Sequence, residues 1–196
     1  MLNKDLILES DQILLRPLDW GDLPTLLELT QDPAQWTYFT HDLSTLAGLE
    51  AWAEGHFSEE RLQFIVIDKA SQQVLGSTGF GNYSPRDQRI EIGWTWLGKA
   101  FQGMGINAQM KFLMLHYAVE ELGMLRVEFK TDVLNLPARH ALLRLGATEE
   151  GVLRSHTLMT KGRRRDTIYY SFFEGGVASL LQVNLLEVGL STRVTE

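Results

Sequence analysis

The spacing of hydrophobic residues changes within the stretch from residue 90 to residue 122. Four bulky residues alternate with smaller or polar ones, as the side chains of a strand do: Ile90, Ile92, Trp94 and Trp96. From residue 106 the apolar residues recur every three or four positions, as on one face of a helix: Ile106, Met110, Leu113, Met114, Tyr117, Ala118 and Leu122. The sequence therefore predicts a central strand that leads through a short loop into a long helix.

The same patterns predict alternating strands and helices along the rest of the chain. Further strands are predicted at residues 12–18, 63–68, 74–80, 126–131, 153–159 and 166–173, and further helices at 22–29, 44–57, 135–146 and 178–190. Three successive antiparallel strands before the strand–loop–helix unit indicate a mixed α/β (α+β) fold, with a mostly antiparallel sheet flanked by helices. No linker or repeat is visible, so we expect one domain over residues 1–196, with a core at about 12–174 and a C-terminal helix or tail at 175–196.

The loop between the central strand and the long helix reads Gln102-Gly103-Met104-Gly105-Ile106. Its two glycines let the backbone turn sharply and bring N–H groups close to a ligand. Together with the free donors at the start of the helix, they predict an anion site, most readily for phosphate. The loop lacks the third glycine of a dinucleotide fingerprint and the Gly-Lys-Ser/Thr of a P-loop. An ordinary strand-to-helix connection with capping glycines explains it equally well.

Composition removes several classes of chemistry. The net charge of −7 argues against general nucleic-acid binding. The absence of cysteine excludes a disulfide, a thiolate nucleophile and a cysteine metal site, and the five histidines form no metal-ligand pattern. The first residues do not resemble a signal peptide, and no apolar run is long enough to cross a bilayer. We therefore expect a cytoplasmic protein without a metal.

The loop is similar to the Gln/Arg-x-x-Gly-x-Gly/Ala pyrophosphate loop of the GNAT superfamily of acetyl-CoA-dependent N-acetyltransferases. Gln102 and Gly105 match it, and Asn107 stands where Gly or Ala is usual. Four pieces of the second half resemble the ribosomal-protein N-terminal acetyltransferase type: Asp132-x-x-Asn135, Arg144-Leu-Gly-Ala147, Glu150-Gly-Val-Leu-Arg154 and Asp166-Thr-x-Tyr-Tyr-Ser171. The resemblance covers residues 14–173 and implies the GNAT fold.

Acetyl-CoA is the co-substrate that this resemblance implies. Its pyrophosphate would lie on backbone N–H groups of the loop, and its pantetheine arm would pair with the central strand as an added strand does. There the strand would part from its neighbour and leave an N–H group for the oxyanion. Asn135 fits both a cofactor contact and an N-cap of the next helix. The predicted cofactor-binding residues are Trp94, Trp96, Leu97, Gln102, Gly103, Met104, Gly105, Ile106, Asn107 and Asn135.

Two glutamates are the main candidates for a general base that frees the attacking amine. Glu91 lies in the central strand, and simple alternation predicts it on the side of Gly93 and Thr95, away from the two tryptophans. Glu150 matches the Glu-Gly position where ribosomal-protein enzymes are thought to carry a base, although it could instead hold the last hairpin through Arg154.

Other catalytic groups are harder to assign. His41 is a third candidate base, because the pKa of imidazole suits proton transfer near neutral pH. No general acid is apparent, since Leu142 stands where many superfamily members carry a tyrosine, and Ala138 where the subfamily often has serine. Without a cysteine, the amine would attack the thioester directly, with no covalent enzyme intermediate.

The acceptor would be a primary amine, either a protein N-terminus or a small molecule. Residues 31–42 are rich in aromatic side chains, which predicts either an acceptor wall or a hydrophobic anchor for a long connection. A catalytically weak acyl-CoA-binding or regulatory module is the alternative from a different functional class. The sequence leaves open whether the protein forms a homodimer.

Overall fold

The computed structural model describes residues 2–58, 60–173 and 193–195, which contain nine strands. They are β1 (Ile7–Glu9), β2 (Ile13–Pro17), β3 (Arg61–Asp68), β4 (Val74–Ser84), β5 (Arg89–Leu97), β6 (Arg126–Asp132), β7 (Thr148–Leu158), β8 (Arg164–Phe173) and β9 (Arg193–Thr195). All belong to one sheet in the order β7-β8-β6-β5-β4-β3-β2-β1-β9. Neighbouring strands are antiparallel except β5 and β6, which run parallel. The predicted mixed, mostly antiparallel sheet is confirmed.

Helices cover both faces of the sheet. They are α1 (Leu23–Leu29), α2 (Leu46–Phe57), α3 (Ile106–His116), which continues as a π-helical turn (Tyr117–Glu121), and α4 (Leu136–Arg144). One hydrophobic cluster joins α1 and α2 to β3 and β5 through Leu26, Leu49, Trp52, Ile65, Ile67 and Trp96. The other joins α3 to the opposite face through Met110, Leu113, Met114, Phe64, Ile90 and Ile92. Side chains therefore leave β5 toward two separate cores.

The ends of the chain differ most from expectation. Strands β1 and β9 were not predicted, because three residues are too few for a recognisable alternation. They pair with each other, and β1 also pairs with β2, at one edge of the sheet. The predicted closing helix at residues 178–190 lies outside the described residues, so the extent of the domain stays a prediction.

A bulge in β5 changes which face each side chain takes. Gly93 pairs with Gly79 and Trp96 with Ser77, so Trp94 and Thr95 together oppose a single residue of β4. One residue of such a bulge takes an unusual backbone conformation, here Trp94 with φ of +50°. The predicted alternation of the four bulky residues along one face is therefore wrong.

The bulge also changes which residues share a face with Glu91. A Cβ built on Gly81 would lie 2.3 Å from the nearest atom of the Trp94 ring, so the ring covers Gly81. Gly81 is the β4 partner of Glu91. Directly opposed residues of an antiparallel pair share a face, so Glu91 lies on the same face as Trp94. Glu91 also lies on the side of Gly93, as predicted, because a Cβ on Gly93 would be 3.0 Å from its Oε1. The predicted separation of Glu91 from Trp94 is wrong. Thr95 points to the other face, where it contacts α3 through Lys111.

Candidate functional site

The two parallel strands at the centre of the sheet separate after three residue pairs. Strand β5 is paired with β6 only from Arg89 to Glu91, opposite Arg126 to Glu128. Beyond this point the strands enclose a cleft of about 370 Å³, which we call the splay cleft. It is bounded by β5, β6, the start of α3, one side of α4 and the loop at residues 35–40. The predicted parting of the central strand from its neighbour is therefore present.

Six of the predicted cofactor-binding residues line the splay cleft: Trp94, Trp96, Leu97, Gln102, Asn107 and Asn135. The other four belong to the glycine loop at its end. Met104 is 64% exposed, whereas the side chain of Ile106 is buried in the core below α3, so Ile106 could serve a ligand only through its backbone. The loop and the cleft are continuous, as a ligand with a phosphate end and an extended arm requires.

The glycine loop has the backbone conformation that its sequence predicts. Gly103 and Gly105 have φ of +78° and +81°, which L side chains rarely adopt. Gly105 is the N-cap of α3, and no side chain caps the helix there. The first N–H groups of a helix have no partner within the helix, so this end can accept an anion. A Cβ on either glycine would meet no atom within 4 Å, which leaves open space beside the loop.

Two glutamines meet at the end of β5, Gln102 from the glycine loop and Gln35 from the loop at residues 35–40. Gln102 Nε2 and Gln35 Nε2 both donate to the carbonyl oxygen of Leu97, at 3.1 Å and 2.9 Å. Gln102 therefore stabilises the loop from within. Asn135 caps α4, because its Oδ1 accepts from the Ala138 N–H at 3.3 Å while the residue also lines the splay cleft. Both predicted roles of Asn135 are compatible with this geometry.

Glu91 lies at the point where the strands part. It is 3% exposed, and its Oε2 accepts from Asn82 Nδ2 at 2.5 Å and pairs with Lys130 Nζ at 2.8 Å. Its Oε1 faces Gly93, since a Cβ built there would be 3.0 Å away. The carboxylate thus combines a fixed position with a second oxygen directed along β5.

The other two candidate bases are not among the described residues that line the cleft. Glu150 forms a two-bond ion pair with Arg126, at 2.5 Å and 2.6 Å, and accepts from Ser171. The Arg126 guanidinium lowers the pKa of the Glu150 carboxyl. Its partner in the structure is therefore Arg126, where the sequence suggested Arg154. Burial lowers the pKa of His41, whose Nδ1 lies 3.1 Å from Thr40 Oγ1.

Aromatic residues form part of the wall of the splay cleft. Trp36 and Phe39 line the splay cleft, and their rings meet edge to face with centroids 5.4 Å apart. Trp36 also packs edge to face on Trp96 and donates to the Thr30 carbonyl at 2.8 Å. The loop is thus anchored in the core and presents aromatic surface to the cleft, as both interpretations of the sequence required.

Lys111 is a cleft residue that the sequence interpretation missed. It lies on α3, is 5% exposed, and reaches the splay cleft beside Thr95. A signal was present, because Lys111 precedes Met114 by three residues and Ala118 by seven, among the apolar positions of the helix. A lysine within a predicted buried face indicates a polar cavity or a function.

Within the described residues, no three histidine, aspartate or glutamate side chains are grouped as metal ligands. In the same part of the chain, no helix is both long and apolar enough to cross a membrane.

Comparison with known proteins agrees with this geometry. A family model described as an acetyltransferase (GNAT) domain matches residues 12–148. YdaF of Bacillus subtilis (strain 168), whose name assigns it provisionally to the ribosomal N-acetyltransferases, is 27% identical over 175 residues, or 84% of this chain and 93% of YdaF. The predicted resemblance to that type is confirmed.

Two solved structures show the same fold. A GCN5-related N-acetyltransferase from Brucella melitensis gives a TM-score of 0.85 at 28% identity, over 92% of this chain and 84% of that chain. A spermidine N-acetyltransferase from Vibrio cholerae, solved with CoA and spermine, gives a TM-score of 0.68 at 20% identity, over 90% of this chain and 99% of that chain. The predicted fold class is confirmed.

Proposed function

Because the chain belongs to the GNAT acetyltransferase family, we propose that it transfers the acetyl group of acetyl-CoA to a primary amine. The observation that carries this proposal is the splay cleft, which runs from the glycine loop to Glu91. The phosphate end of the co-substrate would lie on N–H groups of residues 103–107. Its arm would lie along β5 at Trp94 and Trp96, where no strand of the described residues pairs on the β6 side.

Glu91 is the base in this proposal. The acceptor nitrogen bonds to the acetyl carbon, the carbon–sulfur bond breaks, and the proton of the nitrogen passes to Glu91. The position of Glu91 supports this role, because Glu91 is buried where the strands part. Glu150 is instead held by Arg126 outside the cleft. A base matters most for an acceptor whose amine is protonated at neutral pH.

The acceptor class follows from the chemistry of the cleft. The aromatic wall offers apolar contact and the carboxylate of Glu91 offers a hydrogen-bond acceptor, a combination that suits an amine on an apolar stem. Similar proteins are named for two kinds of amine, polyamines in the Vibrio cholerae structure and ribosomal proteins in YdaF. A cytoplasmic location stays a prediction.

A panel of acceptors tests the proposal. Release of free thiol from acetyl-CoA should be measured with polyamines, single amino-acid amides and peptides with free N-termini, alongside calorimetric titration of acetyl-CoA. We expect binding, and thiol release with at least one class. Binding without release on any acceptor would instead assign the chain as an acyl-CoA-binding module, which the loss of side-chain hydroxyls at Ala138 and Leu142 would then explain.

A further inference from the structure

Lys111 occupies an unusual place for a lysine. Its Nζ donates to Thr95 Oγ1 at 2.5 Å and to Thr78 Oγ1 at 3.4 Å, and it lies 5.7 Å from the centre of the Phe129 ring. These partners come from β5, β4 and β6, so the amine reaches the sheet at the bulge and the open side of β5. Burying an amine costs free energy that hydroxyl partners only partly offset. Packing alone would favour an apolar residue here.

The charges around this amine are few. Glu91 is the carboxylate that acts on it, and it favours the charged form of the amine. Lys130 and Arg165 also line the splay cleft, and Lys130 is already paired with Glu91. Among the described residues Lys111 makes no salt bridge of its own. Burial lowers its pKa to about 7, against the opposing effect of Glu91.

The leaving thiolate can accept a proton from a group of this kind. A thiol has a pKa of about 8.5, so an ammonium of lower pKa can give it a proton with a favourable equilibrium. Leu142 lines the cleft at the position where a tyrosine acid is expected from the family resemblance, and Tyr38, the tyrosine among the described lining residues, belongs to the loop at residues 35–40. The cleft thus has a base in Glu91 and, on the α3 side of β5, a buried amine.

We propose that Lys111 donates the proton that the sulfur of CoA takes up when the acetyl group leaves. This inference rests on the proposed acetyltransferase function. The acceptor nitrogen bonds to the acetyl carbon, the carbon–sulfur bond breaks, and the sulfur takes a proton from the Lys111 ammonium. Glu91 holds the proton lost by the acceptor, and its return through solvent to Lys111 restores both groups.

The ionisation of bound CoA tests this without turnover. Ultraviolet absorbance of the thiolate, followed against pH in the CoA complex, gives the pKa of the bound thiol. We expect that Lys111→Met raises this pKa, because the nearby cation is lost, while Lys130→Met, which removes an equal charge from the other wall, changes it less. Equal thiol titrations in the wild type and Lys111→Met would overturn the proposal.

Leaving-group dependence supplies a second readout. With acetyl-CoA, Lys111→Met should lower turnover by about a hundredfold, the low end for a lost general acid. With acetyl esters of more acidic aryl thiols the loss should shrink, because such thiolates leave without a proton. A loss of the same size for every thioester would mean a structural role. If the wild-type protein acetylates no acceptor, the proposed function fails. The titration of the bound thiol still tests whether Lys111 lies close enough to the sulfur to change its pKa.

A measurement on the unaltered protein covers the case in which Lys111→Met does not fold. Nuclear magnetic resonance of lysine side chains would compare CoA with desulfo-CoA, which lacks the thiol. We expect CoA, and not desulfo-CoA, to change the titration of the buried lysine. The same titration with both ligands would place Lys111 away from the sulfur and contradict the proposal.

Discussion

The two halves of β5 differ in how they are paired, although they belong to one continuous strand. From Arg89 to Glu91 the strand has hydrogen-bonded neighbours on both sides. From Gly93 to Leu97 its one partner among the described strands is β4, and its other side faces the splay cleft. The first half is therefore part of the scaffold, whereas the second half has backbone groups available to a ligand.

The change from one half to the other takes place at the bulge. Beyond Glu91 the extra residue at Trp94 turns the strand, and bulges are known to bend a strand and to end pairing. Glu91 is the last paired residue before the opening. The comparison shows how a carboxylate can be held rigidly by a sheet and still face a space that a ligand can enter.

The largest expected effect comes from breaking the paired half. Ile90 is fully buried between β5 and α3. Ile90→Ala should lower the free energy of unfolding by about 2–5 kcal/mol, the usual cost of such a cavity. Denaturant unfolding measures this, and the folded fraction should bind acetyl-CoA as the wild type does. Lost affinity in a protein of near-normal stability would mean that the two halves do not act separately.

Glu91→Gln tests the residue at the junction. It keeps the shape and hydrogen bonding but cannot take a proton, so turnover should fall by about a hundredfold or more, with acetyl-CoA affinity unchanged. The loss should shrink as pH rises toward the pKa of the acceptor amine, because solution then supplies the neutral nucleophile.

Lys130→Gln is the matched control for that variant, since it breaks the same ion pair and leaves the carboxylate in place. Pre-steady-state or steady-state rates across pH would be compared. If both variants lose the same activity without pH-dependent recovery, the pair is structural and Glu91 is not the base.

Gly105→Ala sharpens the comparison at the far end of the open half. Gly162, in the turn between β7 and β8, has a similar φ of +77° and equally open space, so Gly162→Ala carries the same backbone strain. Both variants should lose about 1–2 kcal/mol of stability. Gly105→Ala alone should lower acetyl-CoA affinity, by about tenfold or more, since a hydrogen bond to a charged group contributes about 1.5–3 kcal/mol. Calorimetric titration showing equal affinities would reject the loop as the phosphate site.

The smallest effect is expected away from the cleft, at Glu150. Its pKa is lowered in the folded protein, so its ion pair stabilises above the unfolded pKa of about 4.3, and this contribution is lost as pH falls through the folded value. Glu150→Gln should therefore cost about 1 kcal/mol or less at neutral pH, and nothing in strong acid. Turnover should stay within about twofold. A large loss of turnover in a stable protein would make Glu150 the base.

Local patterns in the sequence determined much of this protein. The order of strands and helices between residues 12 and 173 follows from hydrophobic period, which depends only on neighbouring residues. The glycine loop was predictable for the same reason, because a positive φ at Gly103 and Gly105 is a local preference of glycine.

Contacts between distant residues decided the rest. No local preference predicts a positive φ at Trp94, so the bulge, and with it the faces of Trp94 and Thr95, depended on pairing with β4. Glu91 and Glu150 look alike in sequence, and only the tertiary structure places one in the cleft and the other beside Arg126. Lys111 enters the site because α3 crosses the opening between two strands, an arrangement that arises when separate elements pack together and that no single stretch of sequence records.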